Sequence, residues 1–210
     1  MSVGMALVDY IPVGLFIAAA LLLMRDLYNK MSKGAFALFS AGTLMIMIAG
    51  IYKATWKLLY GAGICDFAAL NRAFFPMQAT GFVLAAAGIL ALLCVRQGKG
   101  TVYALAPILY ESSMIFVILT VLGTLGICAS LTVMALRMKK RLAAVCFVLA
   151  FFFMLGMGYL SSRDFAEAAM NWIAQGVNIV GQGMLLAGVL ILHKAGLARP
   201  EALQRVQKNG

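Results

Sequence analysis

The feature that most constrains this chain is a succession of apolar runs, each about as long as a bilayer is thick. A membrane-spanning helix needs about 20 mostly apolar residues. Five runs of that kind cover residues 7–24, 35–52, 73–95, 142–160 and 170–192. Charged or glycine-rich breaks close them: Arg25-Asp26, Lys53, and Arg96-Gln97-Gly98-Lys99-Gly100. A sixth region, 101–136, is apolar except for Pro107 and Glu111-Ser112-Ser113. Pro107 disfavours helix at Ala106, so an interfacial or re-entrant entry up to Tyr110 and a span over 112–136 are expected.

Composition agrees. Of 210 residues 64% are hydrophobic and 11% charged, and the mean hydropathy is +0.98. A soluble domain carries about 25% charged residues, and one soluble core could not hide this apolar excess. In lipid, apolar side chains can face outward as well as inward. The fold class expected is all-α: one polytopic transmembrane helix bundle over residues 1–210, with about six spans and a basic tail at 195–210. The stretch before Ile11 lacks Lys and Arg and carries Asp9, so the first run reads as an uncleaved span, not a signal peptide.

The formal charge is +10. In a soluble protein that would suggest nucleic acid. Here the basic residues sit at the ends of apolar runs, as Arg137, Lys139, Lys140 and Arg141 do. That is where topology signals and contacts with anionic lipid are found. No basic face with interleaved aromatics appears, so nucleic acid is not an expected partner. Cys65, Cys94, Cys128 and Cys146 form no C-x-x-C pair and read as small hydrophobes. His193, at the end of the last run, reads as interfacial. Neither a metal nor a cofactor is called for.

The third and sixth spans align with a shift of 100, pairing Asn71 with Asn171, Gln78 with Asn178, Gly81 with Gly181 and Gly88 with Gly188. Asp66-Phe67-Ala68 and Asp164-Phe165-Ala166 precede them, each Asp a plausible N-cap. Two half-repeats, about 7–96 and 101–194, follow. With six spans the repeat is 3+3 and inverted, as in many transporters. Both termini are then cytoplasmic, with 11 Lys/Arg inside and 6 outside. The alternative is seven spans, a 3+1+3 parallel repeat with the N-terminus outside, 13 Lys/Arg inside and 4 outside. The positive-inside bias prefers the alternative. Run length and the lack of a turn signal near the middle of 101–136 prefer six.

Four amides on the last run, Asn171, Gln175, Asn178 and Gln182, are spaced 4, 3 and 4. At about 100° per residue they share one face within about 60°. An amide facing hydrocarbon costs several kcal/mol, so this face meets protein or water. It reads either as interhelical glue or as a polar track, joined by Asn71 and Gln78 from the third span. Glu111 is the one acid within a long apolar run and could couple protons, unless it only marks a span boundary. These seven residues are the expected substrate site.

No triad, acid pair, phosphate loop or metal-ligand cluster is present, so an enzyme is not expected. The function expected is a secondary transporter or channel for a small polar solute or ion, in the cell (inner or plasma) membrane, with a cytoplasmic C-terminus. The alternative is a non-transporting sensor or accessory subunit. The partners implied are the bilayer, the solute, and in the alternative a second copy (a homodimer) or another membrane protein.

Overall fold

The computed structural model describes residues 3–94, 113–161 and 168–199. Among them all regular structure is helical: α1 Val3–Val8, α2 Tyr10–Leu27, α3 Lys33–Gly61, α4 Ala68–Cys94, α5 Ser113–Arg137, α6 Arg141–Ser161 and α7 Ala168–Lys194. Five segments are long and apolar enough to cross a membrane, with α1 and α2 counted together as Val3–Leu27; α6 adds a shorter apolar stretch. Only 28–39% of the residues in each of the five are buried inside the bundle. The remaining faces are apolar, with Leu44 and Ile48 on α3, Ile118 and Leu122 on α5, and Val145 and Phe152 on α6 exposed. Such a surface suits lipid and not water. The chain is the apolar helical bundle of a multi-pass membrane protein.

Local chemistry accounts for the helix ends. Pro12 cannot donate to Val8, which explains the break at Asp9 between α1 and α2. Ser32 caps α3, its Oγ accepting from Ala35 N–H at 3.3 Å. Three helices end in the paired hydrogen bonds of a Schellman motif. After α3, Gly63 N–H donates to Tyr60 O and Ile64 N–H to Leu59 O; after α7, Gly196 N–H donates to His193 O and Leu197 N–H to Leu192 O. The glycines have φ of +69° and +86°. After α5 the same position is Lys139, at φ +59°. The hydroxyls of Thr120, Thr124, Ser130 and Thr132 on α5 each donate to the carbonyl four residues earlier. They need no partner from another helix.

Each helix from α2 to α7 packs on its neighbours in sequence, and α7 packs on α2. The core lies between them, around Leu23, Leu27, Phe39, Ala85, Ile89, Leu131, Phe147, Val189 and Leu192. Close approaches fix the directions. Gly42 lies on Gly81 and Ala85, and Gly88 on Ala35 and Phe39, so α3 and α4 are antiparallel. Gly181 meets Ala150, Phe153 and Met154, and Gly188 meets Phe147, so α6 and α7 are antiparallel. Gly123 meets Phe82 and Gly126 meets Ala86 and Leu90, so α4 and α5 run the same way. His193 on Asp26, 2.8 Å apart, puts the C-terminal ends of α2 and α7 together. The helices α2, α4, α5 and α7 therefore run from an Asp9 end to an Asp26 end, while α3 and α6 return.

The inverted 3+3 repeat and the exact span count are not shown by the described residues. Six alternating spans require α5 to run against α4, and the Gly123–Phe82 and Gly126–Ala86 approaches have them parallel. The aligned glycines do take equivalent places. Gly81 faces Gly42 O and Ile46 N, and Gly181 faces Ala150 O and Met154 N. Gly88 faces Phe39, and Gly188 faces Phe147. All these α3 and α6 residues differ by one shift of 108.

Two boundaries also differ from expectation. The second run does not close at Lys53, because α3 continues to Gly61. Asp66 does not cap α4: that helix begins at Ala68, and Asp66 Oδ1 instead accepts from Trp56 Nε1–H at 2.9 Å. Pro107, Glu111 and Asp164 lie outside the described residues.

Candidate functional site

Polar side chains gather at both ends of the bundle and along one face of α7. At the Asp9 end, the carboxylate of Asp9 sits 2.6 Å from Lys57 Nζ, with side-chain exposures of 10% and 16%. One residue on, Tyr10 OH pairs with Thr55 Oγ1 at 2.9 Å. Lys53 Nζ donates to Asn71 Oδ1 at 2.6 Å. The same ammonium lies 5.2 Å from the ring centroids of both Trp56 and Phe74, close enough for cation–π attraction. Trp56 in turn stacks on Tyr60, with centroids 5.8 Å apart. Spacings of 3 and 4 put Lys53, Trp56, Lys57 and Tyr60 on one side of α3. The cluster thereby ties α1–α2, α3 and α4 together.

At the Asp26 end, the fully buried Asp26 carboxylate receives His193 Nδ1 at 2.8 Å and has Arg25 Nε at 3.6 Å. Arg25 Nη2 reaches His193 Nε2 at 3.0 Å, so the ring bridges a carboxylate and a guanidinium. Lys30, buried in the α2–α3 turn, donates to Arg199 O at 2.9 Å. Burial holds the Lys30 ammonium below its usual pKa range, and Asp26 partly opposes this.

On α7, Gln175 is 4% exposed, and its Oε1 is buried with no hydrogen-bond donor from the described protein. Gln182 Oε1 is buried in the same condition. The two are about 10 Å apart along the axis. Seven-residue steps carry this face on to Val189, which is fully buried, and within about 40° to His193. Since His193 meets Asp26, the face turns towards α2. Glutamine cannot satisfy its amide on its own helix as the α5 hydroxyls do.

The expected site residues therefore divide. Gln175 and Gln182 share a buried face, and Asn178, half-buried, lies about 40° from Gln182. Asn171 is half-buried and has a polar interaction of its own. Asn71 belongs to the Lys53 cluster, and Gln78 is half-buried about two turns further along α4. Glu111 lies outside the described residues. Sequence reasoning missed Asp26 and gave little weight to Asp9, Lys53 and Lys57. Each sits at the edge of an apolar run, where a charge reads as solvated. The signal was the spacing of Lys53 and Lys57 beside Trp56.

Among the described residues no group of three or more His, Cys, Asp and Glu could hold a metal ion. Cys128 and Cys146 are free and buried, and Cys65 is free and exposed. No protein-family model, no curated protein and no solved structure matches the chain.

Proposed function

We propose that the chain is a small transporter or channel for a small polar solute, built from two three-helix units, α2–α4 and α5–α7, that run in the same direction. The observation that carries the reading is the pair of buried amide oxygens, Gln175 Oε1 and Gln182 Oε1, left without a hydrogen-bond donor among the described residues. Helix-joining glutamines would be paired, because an unmade buried hydrogen bond costs about 1–3 kcal/mol. Both lie on the face of α7 turned towards α2, which is the seam between the two units. Transporter sites are commonly found at repeat interfaces, including those of parallel repeats related by an axis along the membrane normal.

The equivalent contacts of Gly81 and Gly181, and of Gly88 and Gly188, support a duplication. The parallel α4 and α5 support the seven-span, 3+1+3 count, since the connection between them joins opposite ends of the bundle. Charge supports an orientation. Among the described residues Arg25, Lys30, Lys33, Arg137, Lys139, Lys140, Arg141, Lys194 and Arg199 lie at the Asp26 end, against Lys53, Lys57 and Arg72 at the other. The positive-inside bias makes the Asp26 end, with the C-terminus, cytoplasmic and the Asp9 end external.

Uptake into proteoliposomes from a panel of polar metabolites tests the reading, with melting measured on the same Gln175→Leu and Gln182→Leu variants. Lost uptake with unchanged or raised melting temperature is expected, since leucine fills the space and removes an unpaired acceptor. Unchanged uptake with lowered melting temperature would mean that the amides only hold helices together. A wild type that moves none of the panel would count against transport.

A further inference from the structure

We infer that the Asp9 end carries an anion site, in which Lys53 and Lys57 receive a phosphate or carboxylate group from a solute or a lipid headgroup. The inference concerns binding and stands whether or not the anion is carried across.

The cluster holds two ammonium groups and one carboxylate. Asp9 is engaged by Lys57 at 2.6 Å. Lys53 has no carboxylate within 4.0 Å among the described residues. It is half-buried, and its polar partner is the neutral Asn71 Oδ1. An ammonium has three donors, so two remain after Asn71. The faces of Trp56 and Phe74, each 5.2 Å away, attract the cation but carry no countercharge. A charge partly removed from water is costly unless paired. A second cation is disfavoured there, because Asp9 is already taken and two lysines repel it. An anion completes the set.

Position adds to the argument. The apolar run of α3 ends at Lys53, where hydrocarbon gives way to headgroups. The Tyr10–Thr55 hydroxyl pair lies at the same end of the bundle. The exposed Arg72 adds a cation at the same end, one residue past Asn71. The second unit has no such pair: the shift of 108 that matches Phe39 with Phe147 sets Ser161 against Lys53. The site belongs to the first unit alone and is therefore not part of the duplicated scaffold.

The chain's two tryptophans permit a direct test. Trp172 is 50% exposed on α7 and far along the chain from the cluster, so Trp172→Phe leaves Trp56 as the reporter beside Lys53. The full chain is purified in an uncharged maltoside detergent, which carries no phosphate. In one arm inorganic phosphate or acetate is titrated; in the other, phosphatidylglycerol is added as mixed micelles against an uncharged diacylglycerol control. A saturable change in Trp56 emission with the free anions identifies a solute site, and one with phosphatidylglycerol alone identifies a headgroup site. In either case Lys53→Gln should weaken the response about ten- to a hundredfold, as for one charge-assisted hydrogen bond. Lys57→Gln should weaken it too, and Lys53→Arg should keep it. Lys53→Arg also separates a lost site from a lost fold, since it retains the charge. No response in either arm, or a response unaltered in both Gln variants, would overturn the inference.

Discussion

Lys57 Nζ and Asp9 Oδ2 stand 2.6 Å apart, joining the last turns of α3 to the break between α1 and α2. Both side chains are largely buried, at 16% and 10% exposure. Removing one partner therefore strands the other in a poorly solvated place. Asp9→Asn or Lys57→Gln should each destabilise the protein by about 3 kcal/mol. The double variant should lose clearly less than the sum of the two. Melting of the four proteins in detergent checks this, and additive losses would mean the pair is not coupled.

Gly81 and Gly181 hold equivalent positions in unequal surroundings. A Cβ at Gly81 would lie 2.8 Å from Gly42 O and 2.9 Å from Ile46 Cγ1; at Gly181 the nearest atom would be Phe153 Cβ at 3.1 Å. Backbone cannot yield as a side chain can. Gly81→Ala should cost about 1–3 kcal/mol, and Gly181→Ala less. Equal tolerance of both would argue against the tight α3–α4 packing.

Much of the bundle is legible in the sequence, because span length and apolar content follow from the thickness of a bilayer. The run over 142–160 became α6 and that over 170–192 became α7, each within two residues. Helix direction was not legible. Run length favours one span in 101–136, which would set α4 and α5 antiparallel, while the lysine and arginine distribution points the other way. Gly123 and Gly126, the residues that reveal the parallel packing, look in sequence like any small residues of a membrane helix. The amide stripe was legible from its spacing. The Asp9, Lys53 and Lys57 cluster was not, since burial of charges at span ends depends on how α1–α2 leans on α3. Asp26 hid for the same reason: its partner His193 is 167 residues away.

Lys30 gives a dependence on pH. Burial lowers its pKa in the folded protein from the ordinary lysine value of 10.5. Above the folded value the native state has shed a proton that the unfolded chain still holds. Stability linked to Lys30 therefore rises with pH in the window between the folded value and 10.5, and the burden of the buried charge is greatest below it. Lys30→Met should flatten that rise in melting temperature on the alkaline side. A variant with the same alkaline profile as the wild type would show that Lys30 does not contribute.

The proposed parallel arrangement of the two three-helix units bears on where the chain's ends lie. In the proposed orientation, with the Asp9 end external and the Asp26 end cytoplasmic, a reporter fused ahead of Val3 and one fused after Arg199 are expected on opposite sides of the membrane. Paired fusions of a reporter active only outside and one active only inside measure this directly. The account predicts an external N-terminal reporter and a cytoplasmic C-terminal one. Both reporters on the same side would contradict it and restore the six-span, inverted arrangement.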